Sequence, residues 1–477
     1  MQEFVGRVQE TRIFQTALQS TEAEMIAVIG RRRVGKTFLV RSFFAGKIDF
    51  EITGIHRGTL GEQMQNFTYH LNGIRSDMSE DRPQNWLEAF HQLTLVLETI
   101  KVDRKLVVFV DELPWLAAPR SGFMRALEFF WNSWAVKKNI VLILCGSAAS
   151  WMTRKLIHNK GGLHNRITRQ IHLKPFTLQE TERYLESRFV ALDRYQILQL
   201  YMVTGGIPQY LKSVQPGQSA TQTIDHLCFQ PQGILVDEFT KLYASLFDKP
   251  ENHVRIVRAL ADKRKGLTRK QLLETTKMAD GGGITRLLEE LESSGFITSY
   301  FPFGKKKKEK LFRLTDEYSL FYLQFMEGKK AGGQGTWLKL SDSQAWKSWS
   351  GYAFENICLK HVQQIKKAMG VHGVYSEASS FFFAGNQERS GIQVDLLIDR
   401  RDHVINFCEM KFYDGPFRFT KAYALEMRQK MTNFRELTGT RKQLALTMIT
   451  AFGLHQNEHS LGLVQNEIEM EALFAAE

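Results

Sequence analysis

The octapeptide Gly30-Arg31-Arg32-Arg33-Val34-Gly35-Lys36-Thr37 constrains this chain more than any other stretch. It fits the pattern G-x-x-x-x-G-K-[ST], in which glycines let backbone N–H groups wrap a phosphate and the lysine reaches the β- and γ-phosphates. The setting matches the pattern. The apolar run Met25–Ile29 precedes the octapeptide, and Phe38–Phe44 continues as a helical sequence whose start faces the phosphates. Strand, loop and helix in that order predict an α/β fold with a parallel sheet.

Two more apolar runs, Leu106–Val110 and Ile140–Cys145, read as buried parallel strands, with amphipathic helices such as Trp86–Ile100 between them. The first ends in Asp111-Glu112. Asp111 and the Thr37 hydroxyl are expected to hold Mg²⁺, and Glu112 to polarise the attacking water. The second ends in Gly146-Ser147, where Ser147 is placed to sense the γ-phosphate. Arg166 and Arg169 follow, and either is a candidate arginine finger. These residues imply ATP with Mg²⁺ as the ligand.

Residues 177–249 are mainly helical in pattern, with a loop at Gln215–Gln222, and read as a helical lid. From Glu251 to Phe325 three helical patterns precede a hairpin. Thr268 and Gln271 form a capping-box pair, and Ile284, Leu287, Leu288 and Leu291 make one buried stripe. That order resembles a winged helix whose wing tip is Gly304 followed by Lys305, Lys306, Lys307 and Lys308. Four lysines at a tip suit contact with nucleic-acid phosphates, double-stranded DNA being the expected partner. Glu289 and Glu290 beside Arg286 on the third helix argue against its entering a groove. The stretch Gly328–Gly335 reads as a flexible linker.

Net charge supports a polyanionic partner: 477 residues carry +12. Four cysteines without paired spacing read as buried free thiols of a cytoplasmic protein. The C-x-x-H of Cys358 and His361 lacks the further ligands a zinc site needs and reads as helix packing. No apolar run approaches the ~20 residues of a membrane span.

Beyond the linker, Gly351-Tyr352-Ala353-Phe354-Glu355 opens an amphipathic helix, and Val394-Asp395 leads a strand that turns at Arg400–His403 into Val404–Lys411. Glu409 and Lys411, two apart, share a strand face. The spacing resembles the PD-(D/E)XK nuclease core, with Val394 where the signature has proline. The resemblance implies that Asp395 and Glu409 ligate Mg²⁺, that Glu355 assists, and that Lys411 orients water.

The chain as a whole resembles the archaeal-type P-loop ATPases of the AAA/STAND kind. The motifs that carry this are Phe4-Val5-Gly6-Arg7, the octapeptide, Val110-Asp111-Glu112, Gly146-Ser147, Asn165-Arg166 and Thr204-Gly205-Gly206-Ile207-Pro208. The resemblance implies that Gly6 and Arg7 lie near the adenine and that the segment ending in Pro208 closes the lid over the nucleotide. The family has glycine where Asn165 stands. The expected layout is an α/β P-loop NTPase core with a parallel sheet (1–175), a helical lid (176–249), a winged helix (250–327) and an α/β restriction-endonuclease-like domain (336–477). The expected function is ATP hydrolysis coupled to a DNA-associated, metal-dependent nuclease. The alternative is a STAND-type signalling switch or DNA-binding regulator whose nuclease-like domain only binds. A homo-oligomer is compatible with either.

Overall fold

The computed structural model describes residues 5–75, 82–157, 165–305, 309–329, 332–387 and 389–476. Two compact units emerge. One comprises Met1–Lys174 with Leu246–Asp248, and the other Pro175–Ser245 with Lys249–Glu477.

The first unit is built on β1 (Glu24–Ile29), β2 (Phe50–Thr53), β3 (Leu106–Asp111), β4 (Ile140–Gly146) and β5 (Arg169–His172). They form one sheet in the order β2-β3-β4-β1-β5, parallel throughout. Every residue of β1 and β4 is buried, because helices cover both faces of such a sheet; this is why the strands read as unbroken apolar runs. Trp86, Phe90, Phe123 and Phe130 pack with Val108 and Leu142 on one side. The reversal of strand order at β1, with β4 and β5 on its two sides, opens the crevice beyond the strand ends where ligands of such sheets sit.

In the second unit the helical segment after Pro175 packs with the C-terminal half of the chain. Tyr195 stacks on Phe412 with ring centroids 5.0–5.1 Å from Phe412 and Phe452, and Leu178 N–H donates to His361 Nε2 at 3.3 Å. His361 is buried, and its Nδ1 faces Ile357 O at 2.8 Å. Its role is packing and capping between segments, and all four cysteines are buried and free.

Helices Pro250–Ala261, Arg269–Thr276 and Gly282–Ser293 accompany a small sheet of β6 (Leu267–Thr268), β7 (Ile297–Tyr300) and β8 (Leu311–Leu314), in the order β6-β8-β7. The Thr268–Gln271 capping box is present. Ile284, Leu288 and Leu291 are buried and Leu287 is half-buried. The linker is held at its far end: Asp225 accepts from the N–H of Gly335 at 2.9 Å and of Trp337 at 2.7 Å. Trp337 then stacks on Phe229, so the chain after Gly335 is fixed by an aromatic cluster that no local linker signal announces.

The helix bearing Glu355 runs from Gln344 to Lys360, starting about two turns earlier than Gly351, because Ser343 caps it by accepting from Trp346 N–H. The last sheet contains β9 (Ser376–Phe383), β10 (Ile392–Arg400), β11 (Val404–Lys411), β13 (Gln443–Thr450) and β15 (Val464–Glu469), with the short pair β12 (Phe417–Arg418) and β14 (Leu454–His455) beside it. Its order is β15-β13-β11-β10-β9. β10 is antiparallel to β9 and β11, while β13 is parallel to β11 and β15. Among the described residues, no helix is long and apolar enough to cross a membrane.

Candidate functional site

The phosphate loop joins β1 to helix Lys36–Phe43. Gly35, at φ 91°, caps that helix in a left-handed conformation that suits glycine. Lys36 is only 5% exposed. Its Nζ donates to Arg31 O and to Ser147 Oγ, both at 3.0 Å. A buried ammonium held by a carbonyl and a hydroxyl, with no carboxylate bonded to it among the described residues, is set to meet an anionic ligand. Gly6 (φ 73°) and Arg7 (φ 58°) precede helix Val8–Gln19. Arg7 is buried, with Nη2 3.4 Å from Val34 O, so this turn lies against the loop.

Asp111 ends β3, and Thr37 Oγ1 donates to its Oδ2 at 2.7 Å. Glu112 follows at φ 46°, a strained position for a non-glycine residue. Its carboxylate is gripped twice by the end of β4: Ser147 Oγ donates to Oε1 at 2.6 Å and Ser147 N–H to Oε2 at 3.2 Å. Lys36, Thr37, Asp111, Glu112 and Ser147 therefore stand together at the ends of β1, β3 and β4. Magnesium bound with a nucleotide takes most of its octahedral shell from water and phosphate oxygens, with one or two protein oxygens. The Thr37 hydroxyl and Asp111 carboxylate, already in contact, fit that requirement. The ion would neutralise charge on the phosphates; the protein groups position it.

The two arginine candidates separate. Arg169 makes two hydrogen bonds to the buried Glu24 carboxylate, at 3.2 and 2.9 Å, and its place is structural. Arg166 is exposed. Asn165 before it sits at φ 58°, a region asparagine enters more readily than most residues. Pro208 begins helix Pro208–Leu211 within the second unit. The glycine before Ile207 has a packing reason of its own: at φ 68°, a Cβ on Gly206 would lie 2.2 Å from Phe176 O.

Residues 4–214 match the family model described as an ATPase domain predominantly from Archaea. This part of the chain is similar to the archaeal-type P-loop ATPase domains. Over its length, the chain is 21% identical to an uncharacterized protein of Methanocaldococcus jannaschii across 431 residues, 90% of this chain and 91% of that one. The Walker-type ATPase of Pyrococcus abyssi superposes with a TM-score of 0.50 at 18% identity, covering 68% of this chain and 96% of that one, which shows a shared fold.

A second cluster lies on the C-terminal sheet. The register Leu396↔Cys408 places Asp395 opposite Glu409 when continued one step. Glu409 Oε1 receives Lys411 Nζ at 2.9 Å and the Tyr423 hydroxyl at 3.0 Å. Burial opposes the Lys411 charge, but Glu409 outweighs it and the ammonium's pKa is raised. Gln393 Nε2 donates to Asp395 Oδ1 at 3.0 Å. Burial first, then the charge of Asp395, pushes the Glu355 carboxyl up to about 8. Thus Glu355, Asp395, Glu409 and Lys411 converge, with Asp395 and Glu409 each accepting from a neighbouring side chain. The acids are hard oxygen ligands suited to Mg²⁺, but among the described residues no three His, Cys, Asp or Glu side chains are gathered as a metal centre.

Arg313 was missed by sequence reasoning, and Tyr352 was given no role in this cluster. Arg313, from β8, has Nη2 3.8 Å from Glu355 Oε2, and Tyr352 lies beneath its guanidinium, 4.8 Å from ring centroid to Cζ. At the expected wing tip, Lys305 pairs with Glu309 at 3.1 Å, while Lys306, Lys307 and Lys308 lie outside the described residues. Glu290 is turned inward, bonded to His253 at 2.9 Å and Arg286 at 2.8 Å. It is therefore not a free repulsive charge on the third helix.

Proposed function

We propose that this protein is a nucleotide-operated switch, in which the first unit binds and hydrolyses ATP with Mg²⁺ and the second engages nucleic acid. The observation that carries this reading is the chain Lys36–Ser147–Glu112 beside the Thr37–Asp111 pair. It joins phosphate binding, a γ-phosphate sensor and the water-polarising carboxylate by direct hydrogen bonds. Arg166, exposed on the first unit, would act in trans on the nucleotide of a neighbouring copy, which makes the active form a homo-oligomer.

Residues 250–327 serve as a winged helix and 336–477 as a nuclease-like domain that binds rather than cuts. The net charge of +12 favours a nucleic-acid partner. Asp395 and Glu409 are already hydrogen-bonded by Gln393, Lys411 and Tyr423, and Glu355 lies 3.8 Å from Arg313, an arrangement adequate for a folded binding domain. The second reading, Mg²⁺-dependent phosphodiester cleavage, is favoured by the convergence of Glu355, Asp395, Glu409 and Lys411 on one sheet face. There Asp395 and Glu409 would hold the ion and Lys411 would orient water.

One experiment addresses both. Labelled duplex is titrated with wild type and Lys36→Ala under ATP, ADP and a non-hydrolysable analogue, and supercoiled plasmid is incubated in parallel with Mg²⁺ or Mn²⁺. Binding that depends on nucleotide in wild type only, without cutting, is the expected result. Nicking lost in Asp395→Ala would establish the second reading. Duplex binding indifferent to nucleotide and to Lys36 would remove the switch.

A further inference from the structure

We propose that Arg313 is an interdomain latch on the C-terminal carboxylate cluster, holding the place beside Glu355 and Asp395 that a divalent cation would take. The inference rests on the metal-dependent reading of that cluster.

Arg313 belongs to β8, in the segment that carries the wing, yet it points at acids from a different part of the chain. It is 4% exposed. Its Nε donates to the Tyr352 hydroxyl at 3.4 Å, and its Nη2 stands 3.8 Å from Glu355 Oε2. Glu355 and Asp395 both act on its charge. Nη2 makes no hydrogen bond among the described residues. A buried guanidinium nitrogen without a hydrogen-bond partner is costly, and native proteins retain such groups where they have work to do.

The segment is fastened to the sheet. Phe303 N–H donates to Ser380 O of β9 at 2.7 Å, the Phe303 ring packs 5.3 Å from that of Phe434, and Lys265 Nζ lies 3.7 Å from the centroid of Phe382. Arg264 covers Tyr352 as well, at 5.3 Å. The wing side of residues 250–327 is therefore docked on the C-terminal sheet, and Arg313 is its charged point of contact. A fixed positive charge 3.8 Å from the Glu355 carboxylate, and acted on by that of Asp395, opposes a second cation there, since like charges repel strongly where solvent is excluded. Loading the cluster with metal then requires this contact to open, so movement of the wing segment would control the site.

The test is Mn²⁺ binding to the full chain without nucleotide, by calorimetry, in wild type, Arg313→Gln, Arg313→Lys and Tyr352→Phe, each with and without Asp395→Asn. The Asp395→Asn difference isolates this cluster from the phosphate loop. The latch predicts binding about tenfold tighter or more in Arg313→Gln, unchanged in Arg313→Lys, and tightened to a lesser degree in Tyr352→Phe, which keeps the measurement open if Arg313→Gln fails to fold. Asp395-dependent binding that is equal or weaker in Arg313→Gln and Tyr352→Phe overturns the latch but keeps the metal reading. No Asp395-dependent binding in any variant overturns the metal reading, and the latch with it.

Discussion

Ser147 holds Glu112 by both oxygens, its hydroxyl 2.6 Å from Oε1 and its N–H 3.2 Å from Oε2, while the same hydroxyl accepts from Lys36 Nζ at 3.0 Å. Whatever displaces the lysine towards a phosphate therefore also changes the hold on the carboxylate. Ser147→Ala removes the hydroxyl but leaves the backbone bond. Turnover should fall about tenfold or more while the nucleotide Kd changes little, because an oriented carboxylate matters in the transition state and not in ground-state binding. A matched loss in Kd and kcat would make Ser147 a binding residue only.

His361 gives the second unit a pH dependence. Burial pushes its pKa down to about 4 from an ordinary 6.5, and both ring nitrogens are used, Nε2 by Leu178 N–H and Nδ1 by Ile357 O. The unfolded chain then binds a proton that the folded one does not between these values, so this contribution is full above pH 6.5 and is lost as pH falls towards 4. The shift from 6.5 to about 4 corresponds to about 3 kcal/mol at most. Urea midpoints measured from pH 8 to pH 4 should fall in wild type and fall less steeply in His361→Gln. Parallel slopes would acquit His361.

How much of this was legible depended on range in sequence. The phosphate loop and Asp111-Glu112 were readable because their geometry is set by adjacent residues and buried parallel strands. The facing of Asp395 and Glu409 followed from strand alternation across a short turn. The choice between Arg166 and Arg169 did not, since it hinges on Glu24, some 145 positions away. Arg313 was invisible for the same reason: nothing near it in the chain marks it as a neighbour of Glu355. The linker ending at Gly335 was composition read as freedom, and the carboxylate of Asp225 supplies the restraint.

Gly206→Ala should damage the second unit severely. Left-handed backbone costs an alanine about 1–2 kcal/mol, and the added methyl would meet Phe176 O at 2.2 Å. A loss of at least about 2 kcal/mol in chemical denaturation is expected. Gly217→Ala, also at positive φ but with open space around its Cβ position, should show the backbone cost alone. Equal losses in the two would mean that the close approach to Phe176 is relieved without cost.

Arg169→Ala and Arg166→Ala should part company. The first leaves the buried Glu24 carboxylate without its ion-pair partner, with only neutral donors such as the Thr168 hydroxyl remaining, and should lower Tm. The second should leave Tm unchanged and lower ATP turnover, more at high protein concentration than at low, if the finger works between copies. Equal turnover in Arg166→Ala and wild type at all concentrations would take Arg166 out of the site.

The central claim, that Lys36 cradles nucleotide while Glu112 drives its hydrolysis, is tested most directly by measuring ATP affinity and single-turnover hydrolysis on Glu112→Gln. The exchange keeps the shape next to Ser147 and one of the two accepting oxygens, and removes the charge. The account predicts a Kd close to wild type and a hydrolysis rate lower by about a hundredfold or more. Hydrolysis at the wild-type rate in Glu112→Gln would contradict it.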